Sequence, residues 1–323
     1  MKDAITDLEK VYRIQDQGDY LLPNKTVLKW PGKDSEETKG RINAMACYLG
    51  GDVNLCGIKW IGSGPNNPRL YDMPRASALI ILNDPVTMAP KAVMDGAIIS
   101  AMRTGAVTGV CSKYLAPANS KIVSLFGAGV QNRTQIMALM SVIPSIQTVR
   151  VYDYYYERSV IFAQEMGKRL NVEMQPVRNR EDMFKDADIL VTATTATEPV
   201  IFDREIQKGC YVAHLGGREV DDDVILRSNK IVVDNWEVSR HRGGDTLADL
   251  AEKGVIGDKD IYASVEELVV GKKAPRANEQ ERTYTCNVGL GTYDIALASR
   301  VYNNAINSGK GKMLELWENP NWV

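Results

Sequence analysis

A glycine turn, one acid and a few isolated cations are the residues of this chain whose types and spacing could do chemistry. The stretch KIVSLFGAGVQNRTQIMALMSVIPSIQTVRVYD (121–153) runs from a short apolar segment, Ile122 to Phe126, into Gly127-Ala128-Gly129. A helical pattern carried by Ile136, Met137, Leu139, Met140 and Ile143 follows, and a second apolar segment ends at Asp153. Strand, glycine turn, helix, strand and acid is the order of a dinucleotide-binding unit. Gly127 lets the backbone turn tightly off the strand. Gly129 omits the Cβ that would block a pyrophosphate from the helix N-terminus, where unpaired N–H groups and the dipole favour an anion. Asp153, 26 positions after Gly127, is placed to accept from both ribose hydroxyls. Its charge repels a 2′-phosphate, so the expected cofactor is NAD rather than NADP. Asn132 stands where a third glycine is usual. An ordinary glycine turn of an α/β sheet would use the same glycines, so the flanking strands carry the reading.

Other candidates are cations in apolar or small-residue settings. Lys59 lies within CGIKWIGSG, Arg103 within AMRTGAV and Lys25 within LLPNKTV; Arg75, in MPRAS, is similar. A charge inside an apolar element is costly unless it is paired or used, and a carboxylate-bearing substrate would pair these. Each also has a plain reading: long basic side chains snorkel out of half-buried elements, and Arg103 could hold an internal acid such as Asp95. An acidic cluster, Glu219 with Asp221, Asp222 and Asp223, follows Gly216-Gly217-Arg218. Ligands of open α/β sheets bind beyond the strand C-termini, so Glu219 could reach a substrate. A helix N-terminus enriched in acids explains Asp222 and Asp223.

Composition narrows the classes. The 323 residues are 44% hydrophobic and 25% charged, ample for a core, and the net charge of −2 with no basic block argues against nucleic acid or an acidic membrane surface as partner. There is no apolar run of membrane-spanning length and no signal-peptide pattern. The five cysteines are scattered without a CxxC and read as reduced thiols of a cytoplasmic protein; two histidines are too few for a usual zinc site, so no metal is expected.

The elements that must position these groups fall into two rhythms. Residues 1–19 read as a helix. TVLKW, INAMACYL, CGIKWIG and ASALIILN (76–83) read as strands, punctuated at Gly32-Lys33-Asp34-Ser35 and Gly50-Gly51-Asp52, with a loop over 61–68 and a helix near 94–114. From 120 onward strands alternate with helices. The candidates are 121–126, 148–152, 188–194, 210–216 and 230–235, the pattern of a parallel, doubly wound sheet. Gly243-Gly244-Asp245 opens a late helical region. A final helix starts near Gly291, its face of Ile295, Leu297, Ala298 and Val301 needing burial on the first domain.

The segments GIKWIGS (57–63), RASALIILNDP (75–85), AVMDGAIISAMRTGAV (92–107), FGAGVQ (126–131), ADILVTATTATEPVI (187–201) and NVGLGTYDIA (287–296) resemble the ornithine cyclodeaminase/μ-crystallin family over nearly the whole chain. GIKWIGS, RAS…ILNDP and VVDNW are most similar to a narrower branch, the N-(2-amino-2-carboxyethyl)-L-glutamate dehydrogenases of 2,3-diaminopropionate biosynthesis. The resemblance implies an α/β fold: a Rossmann domain over 116–291 beside an α+β substrate and dimerisation domain built from 1–115 with 292–323. It implies an NAD-dependent homodimer acting on a small amino-acid substrate. Lys59 falls on the family's active-site lysine, Arg103 on its carboxylate-binding arginine and Lys25 on a further basic position. Val288 and Gly289 fall on a substrate-side backbone stretch, and Arg75 joins the substrate side. Gly127, Gly129 and Asp153, with Thr104, Val130, Gln131 and Thr194 from the matching motifs, are expected to bind the cofactor.

Two departures stand out. Cyclodeaminases of the family carry an aspartate directly after the Gly-Gly pair, facing the substrate's distal amine; Arg218 stands there, with Glu219 as a displaced substitute. A cation at that place would welcome an additional carboxylate instead. The family's usual N-terminal strand also has no counterpart before the first helix. The expected reaction is hydride loss from the Cα of an amine, then hydrolysis of the imine. Ornithine cyclodeaminase, alanine dehydrogenase or ketimine reductase activity is the alternative within the family, and non-catalytic NAD-dependent binding the alternative outside enzymology.

Overall fold

The computed structural model describes residues 1–30 and 40–318; the punctuation at 32–35 lies outside the described residues. Helix α1 (Lys2–Asp16) leads into an antiparallel sheet of β1 (Tyr20–Leu21), β2 (Thr26–Trp30), β3 (Gly40–Leu49), β4 (Leu55–Ser63), β5 (Ala76–Asn83) and β6 (Pro90–Asp95), with α2 (Asn67–Leu70) between β4 and β5 and α3 (Ala97–Leu115) after β6. Alternation sets the two faces. Leu55, Gly57 and Lys59 of β4 turn inward beside Ala78, Ile80 and Leu82 of β5, while Trp60, Leu79 and Val93 face out. The loop expected over 61–68 is shorter than the turn residues suggested. Gly62 and Ser63 continue β4 by pairing with Ser77 and Ala76, and Pro68 helps start the single turn of α2. Strand β6 was not foreseen. Met94 and Asp95, expected in the helix, pair with Ile80 and Leu79, and α3 begins only after them.

The second sheet is wholly parallel. Its strands are β7 (Ile122–Phe126), β8 (Thr148–Tyr152), β9 (Glu173–Pro176), β10 (Ile189–Thr192), β11 (Tyr211–His214), β12 (Lys230–Val233), β13 (Ala263–Ser264) and β14 (Thr283–Cys286), in the order β9-β8-β7-β10-β11-β14-β12-β13. Helices α4 (Val130–Val142), α5 (Tyr156–Leu170), α6 (Asp222–Leu226), α7 (Trp236–Arg240), α8 (Thr246–Glu252) and α9 (Val265–Val269) connect them. This is the Rossmann-type doubly wound sheet beside an α+β unit that the strand–helix alternation called for. β7 sits where the winding reverses, the place where such sheets bind ligands. Strand β14 escaped the sequence reading although it lies mid-sheet: TYTC alternates polar Thr with Tyr and Cys, whereas β10, β11 and β12 show apolar runs.

The last helix, α10 (Gly291–Asn307), returns to the first sheet and packs on β3, β4 and β5 between α1 and α3. Ile295, Leu297 and Ala298 are buried there; Val301, expected on the same face, is exposed. Tyr293 meets Tyr12 of α1 edge to face, ring centroids 5.4 Å apart. Each large aliphatic side chain so buried contributes on the order of 1.5–3 kcal/mol. That packing brings the first turn of α10 beneath Lys59.

Candidate active site

The glycine turn lies at the C-terminal end of β7. Gly127 has φ +96°, and a methyl group there would lie 2.8 Å from the Ala193 carbonyl oxygen, so only glycine fits. Gly129 differs: a methyl group there would meet no atom within 4 Å. Its bareness serves no packing inside the chain and leaves open the approach to the N-terminus of α4, which has no side-chain cap. Asp153 follows β8, and its two oxygens accept from Ala128 N (2.9 Å) and Tyr155 N (3.0 Å), which fixes the carboxylate beside the turn. Asn132 compensates for the missing third glycine: its buried amide donates to the carbonyls of Phe126 (2.7 Å) and Gly127 (2.5 Å) and clamps the turn. Val130 is exposed at the head of α4, next to Gln131, whose Oε1 is buried without a partner. Thr194 flanks Gly127 just past the end of β10, and Thr104 on α3 donates to the Ser100 carbonyl (2.8 Å). An open, uncapped helix N-terminus with a fixed acid one strand away fits a dinucleotide.

The second half of the site gathers around a residue that the sequence reading did not single out. Asp294, in the first turn of α10, is fully buried. Its Oδ2 accepts from Lys59 Nζ at 2.7 Å, and its Oδ1 lies 3.2 Å from Arg103 Nε. Lys59, 1% exposed, also donates to Ser100 Oγ at 3.2 Å. Burial, then the nearby Arg103 guanidinium, lowers the Lys59 pKa to about 8 against the opposing pull of Asp294. Asp95 does not hold Arg103; its carboxylate accepts from Ala97 N at the start of α3. Sheet register places Lys25: Thr26 pairs with Ala44 and Met45 with Lys59, so Lys25 precedes β2 in the row that holds Lys59. Its pKa is also lowered to about 8, by burial and then by Arg242 and Arg41.

Three sequence expectations change here. The N–H groups of Val288 and Gly289 are not free for a substrate: both donate to Asp234, at 3.0 and 2.7 Å, which ties the turn after β14 to the end of β12. Gly289, at φ +74°, serves Arg103 instead, since a methyl group there would lie 2.7 Å from Arg103 Cζ. Arg218 does not enter the crevice; it donates to Asp249 at 2.6 Å on the surface. The cation beyond β11 is Arg242, which reaches back toward the Leu215 carbonyl and Asp245 (3.5 Å to each). Glu219 is 1% exposed, and its oxygens accept from Thr192 Oγ1 (2.9 Å) and Thr194 N, so it shapes the strand ends. Burial raises its pKa against those hydrogen bonds. Beneath it His214 bonds Tyr284 OH at 2.6 Å, and burial, then Arg242, pushes its pKa down to about 3.

Arg41 and Arg75 are exposed cations close enough to this cluster to act on its charges. Arg41 sits on the inward row of β3, opposite Ser63, and Arg75 precedes Ala76, which pairs with Ser63 on the other side. Burial, then Arg242 and Arg75, lowers the Arg41 pKa. Sequence reasoning missed Asp294, Arg41, Arg242 and Asp234. An acid among apolar residues in TYDIALA was the one available signal for Asp294.

The two halves share the C-terminal edge of the parallel sheet. From β7, which carries the glycine turn, to β14, which carries Gly289, is three strand spacings, about 14 Å. A dinucleotide whose pyrophosphate lay at Gly129 would extend along that edge toward the turn that holds Gly289 and Arg103.

The geometry agrees with what the chain is similar to. The solved Thermococcus litoralis Delta(1)-pyrroline-2-carboxylate reductase in complex with NADH and L-proline is 35% identical, with a TM-score of 0.89 over 97% of this chain and 95% of that one. An archaeal alanine dehydrogenase dimer with bound NAD is 31% identical, TM-score 0.87, over 98% and 95%. The N-((2S)-2-amino-2-carboxyethyl)-L-glutamate dehydrogenase of Staphylococcus aureus is 29% identical over 316 residues, 98% of this chain and 93% of that protein. The model of the ornithine cyclodeaminase/mu-crystallin family matches residues 1–309, and the chain belongs to that family.

Proposed function

We propose that this protein oxidises the CH–NH unit of a carboxylate-bearing amine with NAD, and that its substrate is an N-carboxyalkyl amino acid with more than one carboxylate. The coarser part, an NAD-dependent oxidoreductase of amino or imino acids, is common to the relatives above. The observation that carries the reading is the Lys59–Asp294–Arg103 cluster at the cofactor edge of the sheet. Arg103 and Lys25 hold the α-carboxylate by charge-assisted contacts. An amine can give up hydride from its Cα only when neutral, and Lys59, with a pKa of about 8, accepts the ammonium proton directly or through water. Gly129 and Asp153 would hold NAD, which would supply the hydride acceptor when bound. Water then attacks the substrate iminium and the carbon–nitrogen bond breaks, leaving an amine and a 2-oxo acid. Glu219 holds the strand ends that line the crevice.

Arg41, Arg75 and Arg242 support the finer reading. They place more positive charge in the crevice than one carboxylate needs, the part the sequence assigned to Arg218. Residues 1–115 with 292–323 serve the substrate and 116–291 the cofactor. The outward row of Trp60, Leu79 and Val93 is an apolar face for a second copy, in keeping with the dimeric archaeal relative. Among the described residues no helix is long and apolar enough to cross a membrane. A second reading, reduction of a cyclic imino acid by the same groups, is favoured by the likeness to the reductase complexed with L-proline.

Product analysis decides. The protein is mixed with NAD and a panel of amino acids and N-carboxyalkyl amino acids, and NADH, ammonia and 2-oxo acid are read separately. NADH with a 2-oxo acid and no ammonia is expected. NADH with ammonia would make it a simple amino-acid dehydrogenase, ammonia without NADH a cyclodeaminase. Tight NAD binding with no product would make it a binding protein.

A further inference from the structure

We propose, resting on the oxidoreductase reading above, that Asp294 is a positioning residue: it holds the Lys59 ammonium and the Arg103 guanidinium on the two oxygens of one buried carboxylate, so that proton acceptor and carboxylate anchor keep a fixed separation. The three groups come from three elements, β4, α3 and α10, and nothing local in the chain brings them together. Lys59 and Asp294 are 235 positions apart. Asp294 lies in the first turn of a 17-residue helix, where the dipole favours its negative charge. Its contact with Arg103 is made at Nε and is an ion pair rather than an aligned hydrogen bond. The terminal nitrogens of Arg103 therefore stay available to grip a carboxylate in the bidentate manner. As the neutral amine that accepts a proton, Lys59 spends its two donors on Asp294 and Ser100, which leaves its lone pair for the substrate ammonium or a water.

The same carboxylate sets the proton affinity of Lys59. The groups facing that ammonium are Arg103 and Ser100 from α3, Asp294 from α10, Lys25 from the segment before β2, and Cys47 from β3, whose thiol burial keeps protonated. Of these only Asp294 supplies negative charge. Without it, burial and two cations act on Lys59 unopposed, and its pKa falls below about 8.

The test uses the full chain labelled with ¹³C-lysine. The Lys59 ¹³Cε resonance is assigned by its absence in Lys59→Met and followed against pH. In Asp294→Asn its midpoint is expected to fall by about one unit or more, and KM for a carboxylate amine to rise about tenfold with NADH affinity unchanged. A midpoint unmoved, or moved upward, would overturn the proposal. Asp294→Glu keeps the charge and shifts it by one methylene. It is expected to titrate near wild type while kcat drops about tenfold or more; wild-type kcat in that variant would overturn the proposal even where Asp294→Asn fails to fold. Wild-type protein that turns over no amine sinks the functional reading, and the titration still judges Asp294.

Discussion

Replacing Gly289 by alanine isolates the carboxylate anchor without touching a charged group. Gly289 holds φ +74°, and the added methyl would stand 2.7 Å from Arg103 Cζ, closer still to a terminal nitrogen. The left-handed backbone costs an L-residue about 1–2 kcal/mol, a cost the fold can absorb because Asp234 pins the turn through two N–H groups. The guanidinium must swing away, and one charge-assisted hydrogen bond to a carboxylate contributes about 1.5–3 kcal/mol. The expected loss in kcat/KM is therefore roughly 10- to 150-fold, expressed mainly in KM. Steady-state kinetics with a carboxylate amine, NADH fluorescence titration and a thermal melt measure the three parts separately. A kcat/KM within about twofold of wild type, or an equal loss of NADH affinity, would refute the assignment of Arg103 to the substrate.

Lys59→Met should lower turnover by about 10²- to 10⁴-fold while NADH affinity holds; equal loss of both would make Lys59 structural. Asp153→Ser removes the carboxylate beside the glycine turn and should weaken NAD by about tenfold while raising the relative use of NADP; an unchanged NAD-to-NADP ratio would remove Asp153 from the ribose. The pH dependence of stability follows from His214, whose pKa drops from 6.5 unfolded to about 3 folded. Below pH 6.5 the unfolded chain takes a proton that the folded chain refuses. Stability is thus complete above that pH and drains away toward pH 3, by about 2 kcal/mol at pH 5. Glu219, raised by burial, offsets part of the loss. Urea midpoints at pH 7 and pH 5 should therefore converge in His214→Asn relative to wild type, and parallel shifts would contradict the account.

Local signals make the cofactor half legible from the sequence. Gly127, Gly129 and Asp153 lie within one strand–turn–helix–strand unit whose register is short-range, so spacing along the chain already implies spacing in space. Lys59 and Arg103 are visible for a related reason: a cation in an apolar element is conspicuous whatever the fold does with it. What they bind to is not visible there. Asp294 reaches Lys59 only because the apolar face of α10 must be buried on the first sheet, a contact decided by packing across the whole chain. Arg218 and Arg242 show the same limit. Both lie beside Gly-rich turns near strand ends, and sequence adjacency to Gly216-Gly217 favoured the wrong one. The backbone path after β11 sends Arg218 to Asp249 at the surface and leaves the crevice to Arg242. The chain alone therefore determined the family, the glycine turn and the cations set in apolar elements, which are legible in short segments. The tertiary structure decided which charge meets which, because a buried ion pair is made by side chains that distant elements bring into contact.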